Sequence, residues 1–244
     1  MNVVRLDTAD STNTWVAQHE KELESPSFVY CINQTAGRGQ RGNSWESEPG
    51  KNITASIIFR PENFPACHQF YISEAIALAI VSFLREYGID AMVKWPNDIY
   101  VGDKKICGIL VEHVILGSHI SRTIAGFGIN INQKEFISDA PNPISLTLLT
   151  GQKYDIEKSL INLQRHMDNY IGQLKDCIRL HETFENILWR KDGDYHKFFD
   201  RGLNEFIEAK IEGVAPDGIL TLTTREGEKR SYAFKEVEFI LTQR

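Results

Sequence analysis

Two runs rich in β-branched and aromatic residues, FVYCI at 28–32 and NITASIIF at 52–59, enclose a polar loop that reads TAGRGQRGNSWESEPGK. Runs of this kind read as strands, so the glycine-rich loop must join strand to strand. No other feature limits the fold as much. Residues 37–42, GRGQRG, match G-x-G-x-x-G letter for letter. A dinucleotide-binding turn, however, needs its third glycine to open a helix and an acidic residue about 20 positions on. Here a turn and then a strand follow. Neither HRD nor DFG occurs, which removes a kinase, and Trp45 and Asn52 break a Walker-type pattern around Lys51. The loop is left as a solvated hairpin or an anion cradle. Arg38 and Arg41 stand among glycines whose bare N–H groups can wrap a phosphate or an adenylate.

Beyond the loop, Phe70, Ile76, Ile80, Phe83, Leu84 and Tyr87 fall at helical spacing, and Gly88 sits where a helix ends. The spacing predicts a helix over 68–87, strands at 91–95, 106–112 and 119–131, and a helix from Asp155 to about Leu180. Ile156, Leu160, Leu163, Met167, Tyr170, Ile171 and Leu174 form the apolar stripe of that last helix. Near residue 195 the pattern changes. FIEAKIEGV, GILTLTT, KRSYAF and VEFIL are short strands joined by the turn-like PDG and REGE. The expected architecture is α+β: a mixed β-sheet flanked by helices over 1–194, then a small SH3-like β-barrel over 195–244.

Composition narrows the function. With 27 Lys and Arg against 33 Asp and Glu, the net charge is −6, so only a local basic patch could meet nucleic acid. Cys31, Cys67, Cys107 and Cys177 are scattered without a CxxC, which suits a reducing, cytoplasmic setting. The N-terminus lacks a charged and then apolar leader pattern. The longest amphipathic stretch, around 70–87, is interrupted by Ser73, Glu74, Ser82, Arg85 and Glu86, so no membrane span is expected.

Several further segments carry polar chemistry. KWPND, Lys94 to Asp98, begins at a strand end and reads as an Asx-type turn. Lys104 and Lys105 then precede a buried-looking strand beside Gly108, within reach of a phosphoryl oxygen or carboxylate, or else on a solvated hairpin. DSTNTW, Asp10 to Trp15, reads as a helix start capped by Ser11 or Thr12. AGFGININ, Ala125 to Asn132, is a strand with two glycines, which mark close approach of a ligand or another strand. The seven histidines show no metal-ligand spacing.

DSTNTW, QTAGRGQRGNSW, KWPNDIYVGDKKICGILVE and GFGININ, taken in order, resemble the biotin protein ligase family over nearly the whole chain. Some members add an N-terminal helix-turn-helix; this sequence begins almost directly at the catalytic segment, so a ligase without a repressor function is expected. The resemblance implies that biotin's carboxylate attacks the α-phosphate of ATP, with Mg²⁺ accompanying the nucleotide. Biotinyl-5′-adenylate and pyrophosphate result, and the lysine of a biotin carboxyl carrier protein then takes the biotin. Arg38 and Lys105 match the catalytic cations. Ser11, Thr12, Asn13, Gln34, Gly37, Gly39, Gln40 and Gly108, with those two cations, match the biotin site. Arg38, Arg41, Gly42, Trp45, Asn97, Asp98 and Asn130 match the nucleotide site. Asn97 and Asp98 match a pair tied to ATP and its metal, no ion held apart from the nucleotide is implied, and a homodimer is among the states allowed.

Two departures stand out: Gln40 replaces a frequent loop arginine, and Asn43 stands where an arginine often flanks adenine. Within the same fold the rival is a lipoate ligase or octanoyltransferase, which requires a long apolar slot rather than the polar Ser11, Thr12 and Gln34. A nucleic-acid-binding module is the rival from another class.

Overall fold

The computed structural model describes residues 1–138 and 142–241, the side chain of Arg41 excepted. Strands β1 (Asn2–Ala9), β2 (Ser27–Gln34), β3 (Ile53–Phe59), β4 (Met92–Lys94), β5 (Asp98–Val101), β6 (Lys104–Leu116) and β7 (His119–Ile129) form a seven-stranded sheet. Their order is β1-β2-β3-β7-β6-β5-β4. Only β1 and β2 run parallel; the other pairs are antiparallel. A parallel pair needs a crossover, and helix α1 (Thr12–Gln18) supplies it. Thus a strand that the sequence patterning did not mark, β1, opens the chain and delivers DSTNTW to the sheet's end.

Every residue of β3 is buried, because both faces of the sheet are covered there. Side chains alternate as a strand requires. Ile58 joins Val16, Val29 and Ile124 beneath α1, whereas Ile53, Ala55, Ile57 and Phe59 face the larger core around helix α2 (Phe70–Arg85). By length and apolarity the stretch Ala66–Arg85 resembles a membrane span, yet most of it is buried inside the fold. A helix apolar nearly all round belongs in a core.

The single helix expected from Asp155 to Leu180 is two. Helix α4 (Ile156–Gly172), which follows the short α3 (Leu146–Thr150), is capped by Asp155. It ends in a 3₁₀ turn, Gln173–Lys175, and Asp176 then caps α5 (Cys177–Glu185) by accepting from the Arg179 N–H at 3.3 Å. A fresh N-cap next to Gly172 outweighs an apolar stripe that continues across the break. Both helices pack on α2.

The second sheet begins where the sequence pattern changes. Strands β8 (His196–Asp200), β9 (Glu205–Val214), β10 (Leu220–Thr224), β11 (Lys229–Tyr232) and β12 (Val237–Phe239) form an antiparallel sheet in the order β11-β10-β9-β8-β12. Of these, β8 was not marked by the sequence patterning. Phe198, Ile211, Leu220 and Leu222 share one apolar core with α2. Trp95 Nε1 donates to the Gly218 carbonyl at 2.9 Å, fixing the PDG turn against the KWPND turn. Gly218 has φ +93°, and a Cβ there would lie 2.8 Å from the Phe70 ring, so glycine is required twice over.

Candidate functional site

A cavity of 840 Å³ opens where the 35–45 loop, the start of α1 and the ends of β5, β6 and β7 converge. Ligand sites commonly span roughly 300–1,000 Å³. Apart from Gly37 and Arg41, all the site residues singled out from sequence line it. Gly37 supports the loop from behind: a Cβ there would come 2.7 Å from Gln34 Nε2. The Arg41 side chain lies outside the described residues.

The polar wall starts at α1. Ser11 caps the helix, its hydroxyl accepting from the Thr14 N–H at 3.1 Å. Thr12 N–H donates to Gln34 Oε1 at 3.0 Å, which ties the helix to the end of β2. Ser56 Oγ, buried on β3, lies 2.7 Å from Thr12 Oγ1 and 2.6 Å from Asn13 Oδ1. Asn13 Nδ2 donates to the Leu110 carbonyl at 3.2 Å and to Glu112 Oε2 at 2.8 Å. The Asn13 amide is therefore fully engaged within the protein. A Cβ at Gly126 would sit 2.7 Å from Asn13 Cγ, so this strand glycine makes room for a side chain of the wall.

The loop folds back on itself. Arg38 and Ser44 form an isolated bridge around the 3₁₀ turn Gln40–Gly42, and Gly42 takes φ +89°. Gly39 N–H donates to the Asn43 carbonyl at 2.7 Å and Trp45 N–H to the Gly37 carbonyl at 2.9 Å. The Gly39 amide is thus spent inside the hairpin. Arg38 Nη2 reaches Glu112 Oε1 at 2.8 Å, and its Nη1 reaches Thr14 Oγ1 at 3.5 Å. The indole of Trp45 lies across Gly108 and Gly128. Cβ atoms there would come 3.0 Å from Trp45 Cζ3 and 2.8 Å from Trp45 Cζ2. Trp45 Nε1 is buried without a hydrogen-bond partner among the described residues.

Cations gather on the remaining side. Lys105 Nζ pairs with Asp98 Oδ1 at 2.7 Å and stands 5.6 Å from the centre of the Trp45 ring. Its main chain is braced by a second segment: Lys105 N–H donates to the Asn142 carbonyl at 2.8 Å, and Ile144 N–H donates to the Lys105 carbonyl at 2.9 Å. Lys94 also lines the cavity, with Nζ 5.3 Å from the Tyr100 ring and 4.9 Å from the Phe239 ring of β12. Burial lowers the Lys94 pKa, helped by Lys105 and Arg190 and opposed by Asp98. Burial, then Asp98, pushes the Tyr100 hydroxyl up.

Asn97 Nδ2 donates to the Ile109 carbonyl at 2.6 Å, and Ile109 N–H returns to the Asn97 carbonyl at 2.9 Å. Asn130 Nδ2 donates to the Ile144 carbonyl at 3.0 Å, while its Oδ1 is buried and has no partner among the described residues. Among the described residues no three His, Cys, Asp or Glu side chains cluster as a metal site. The Asp98 carboxylate is held by Lys105, so the donor set does not fit an ion held by the protein alone.

Sequence reasoning did not single out Ser56, Glu112 or Lys94 as site residues. Ser56 interrupts an apolar strand, Glu112 ends GILVE and Lys94 opens KWPND, but only the sheet order brings Lys94 to the cavity and sets Ser56 and Glu112 against Asn13 and Arg38, which line it. The glycines of AGFGININ do mark close approach, by the Asn13 and Trp45 side chains.

Hydroxyl and amide groups together with cations in one hollow suit a small molecule that bears an anion, held on an α+β scaffold. Residues 6–130 match the model of the biotin/lipoate A/B protein ligase family, and the chain belongs to that family. It is 31% identical over 218 residues to the bifunctional ligase/repressor BirA of Bacillus subtilis, covering 84% of this chain and 64% of that one. The chain thus spans somewhat under two thirds of that relative's length. It is 28% identical over 171 residues to the biotin--[acetyl-CoA-carboxylase] ligase of Paracoccus denitrificans, covering 64% of this chain and 67% of the relative. Its fold matches the biotin protein ligase from Aquifex aeolicus, solved in complex with biotin and ATP, with a TM-score of 0.79, 24% identity and 97% of each chain covered.

Proposed function

We propose that this protein joins biotin to a carrier protein at the expense of ATP, by way of biotinyl-5′-adenylate. The observation that carries the reading is the meeting, in one 840 Å³ cavity, of Ser11, Thr12 and Gln34 with Arg38, Lys94 and Lys105. The first group offers short polar partners to a ureido ring. The second offers positive charge where a carboxylate must approach a phosphate that repels it.

In this reading the ion pair with Asp98 holds Lys105 at the cavity until substrates arrive. The Lys105 ammonium then turns to the α-phosphate and the attacking carboxylate, whose negative charges it offsets as the new P–O bond forms and pyrophosphate departs. Mg²⁺ entering on the triphosphate would supply further positive charge. Arg38 and the loop hairpin shelter the mixed anhydride from water. The carrier's lysine amine next attacks the acyl carbon, AMP leaves with the bonding electrons, and the amine sheds a proton. Trp45 and Asn130 stand at the nucleotide end, and the unpartnered Asn130 Oδ1 suits a donor such as an adenine amine. We read residues 1–194 as the unit that adenylates and 195–244 as an SH3-like unit that helps receive the carrier, in a reducing cytoplasm that suits four free cysteines.

The test is incorporation of labelled biotin into a biotin carboxyl carrier domain with ATP and Mg²⁺, run beside labelled lipoate and octanoate. Label from biotin alone supports the reading. Label from lipoate or octanoate alone refutes it.

A further inference from the structure

We infer that Glu112 is a positioning residue that locks the loop arginine to the wall of the ligand cavity. The inference rests on the adenylate reading above and concerns a residue to which that reading gives no part.

Glu112 lies on β6 with its side chain 38% exposed, and each carboxylate oxygen serves a different element. Oε2 accepts from Asn13 Nδ2 at 2.8 Å, in a residue that is 4% exposed at the start of α1. Oε1 accepts from Arg38 Nη2 at 2.8 Å, on the loop. Asn13 is itself fixed by the Ser56 hydroxyl and the Leu110 carbonyl. One carboxylate therefore ties a loop side chain to a rigid, buried frame.

Arg38 carries five N–H donors in a planar fork. Glu112 takes one, and Thr14 Oγ1 is the second partner, at the long distance of 3.5 Å. The donors left over remain for a phosphate or carboxylate. A bond to one edge of the fork sets the plane of the guanidinium, so Arg38 meets an anion with its orientation already fixed. Without Glu112 the arginine would rest on a loop hairpin and a marginal hydroxyl contact.

The pair is partly exposed, with side chains 47% and 38% accessible, so its coupling falls in the range of about 1 kcal/mol or less expected of such pairs. Loss of the charge should then speed release of the adenylate by roughly three- to fivefold. Glu112→Gln is the informative change, because it keeps an amide oxygen for Asn13 while removing the charge that holds Arg38.

Synthetic biotinyl-5′-adenylate is loaded onto the full chain, and its release is timed for wild type, Glu112→Gln, Arg38→Ala and the double variant. Thermal midpoints are read in parallel. The expected result is non-additivity: Glu112→Gln speeds release in the wild-type background but changes it little when Arg38 is already alanine. Equal effects of Glu112→Gln in both backgrounds would overturn the inference, since Glu112 would then act independently of Arg38. So would an unchanged release rate, or acceleration that only follows a fall in thermal midpoint. Failure of the wild type to bind the adenylate would instead overturn the functional reading itself, and this inference with it.

Discussion

Two strand glycines separated by one residue should respond unequally to the same methyl group. At Gly126 a Cβ would meet Asn13 at 2.7 Å from Cγ, so the Asn13 amide must move. That amide is 4% exposed and holds hydrogen bonds with Ser56, Leu110 and Glu112. Each bond contributes about 1 kcal/mol, and breaking them leaves buried polar atoms unsatisfied. Gly126→Ala should therefore cost about 3 kcal/mol, a fall of about 6–12 °C in thermal midpoint for a chain of this size. At Gly128 the obstacle is the Trp45 indole, which hangs from a loop and whose Nε1 has no partner to lose among the described residues. It can swing away, and alanine in a strand is favoured by about 0.4–1 kcal/mol over glycine through the unfolded chain. Gly128→Ala should leave the thermal midpoint within about 2 °C of wild type, while altering ligand affinity, because the indole must settle elsewhere in the cavity. Far-ultraviolet circular dichroism during heating reads the first quantity, and equilibrium binding of biotinyl-5′-adenylate the second. Equal losses of stability at both positions, or a harmless Gly126→Ala, would refute the reasoning.

Lys105→Ala should slow adenylate formation by on the order of 10²–10³-fold, the range for losing one strong electrostatic group; near-normal pyrophosphate release would remove Lys105 from the chemistry. Lys94→Met should raise stability by about 1 kcal/mol, since an ammonium packed between Tyr100 and Phe239 gives way to an apolar chain of similar length, and should impair adenylation. Burial depresses the folded-state pKa of Lys94, so the unfolded chain binds more protons between that value and the ordinary lysine value. Wild type should then gain stability relative to Lys94→Met as pH rises through that window, which denaturant titrations at a series of pH values would show. Gln40→Arg should slow adenylate release, because a charged donor replaces a neutral one at the cavity; faster release would count against the loop's part in retention.

Much of the sheet was legible because β-branched runs announce themselves: FVYCI and NITASIIF became β2 and β3, and Gly88 closed α2 with φ +73°. The edge strand β1 was harder, since only one of its faces packs inward, through Val4 and Leu6. The break at Gln173–Lys175 was hidden because residues on both sides of it pack on α2, so the apolar pattern runs straight through. At the cavity the local motifs named residues well but not their partners. Asn13 and Leu110 are 97 positions apart, and their meeting depends on β7 and β6 following β3 in the sheet. No spacing rule shows that Ser56 faces Asn13, or that Glu112 serves two elements at once. The strand glycines posed a similar question, for a sequence can announce close approach without saying which atoms approach.

The bracing of Lys105 sets it apart from the loop. Its main chain is clamped between β5 and the 142–144 segment, so the ammonium sits on a foundation that the 35–45 loop does not help to build. A change at position 40 therefore leaves that main-chain foundation in place. On the adenylate reading, how long an activated product stays and how fast it is made rest on separate parts of the chain, so one can change while the other holds.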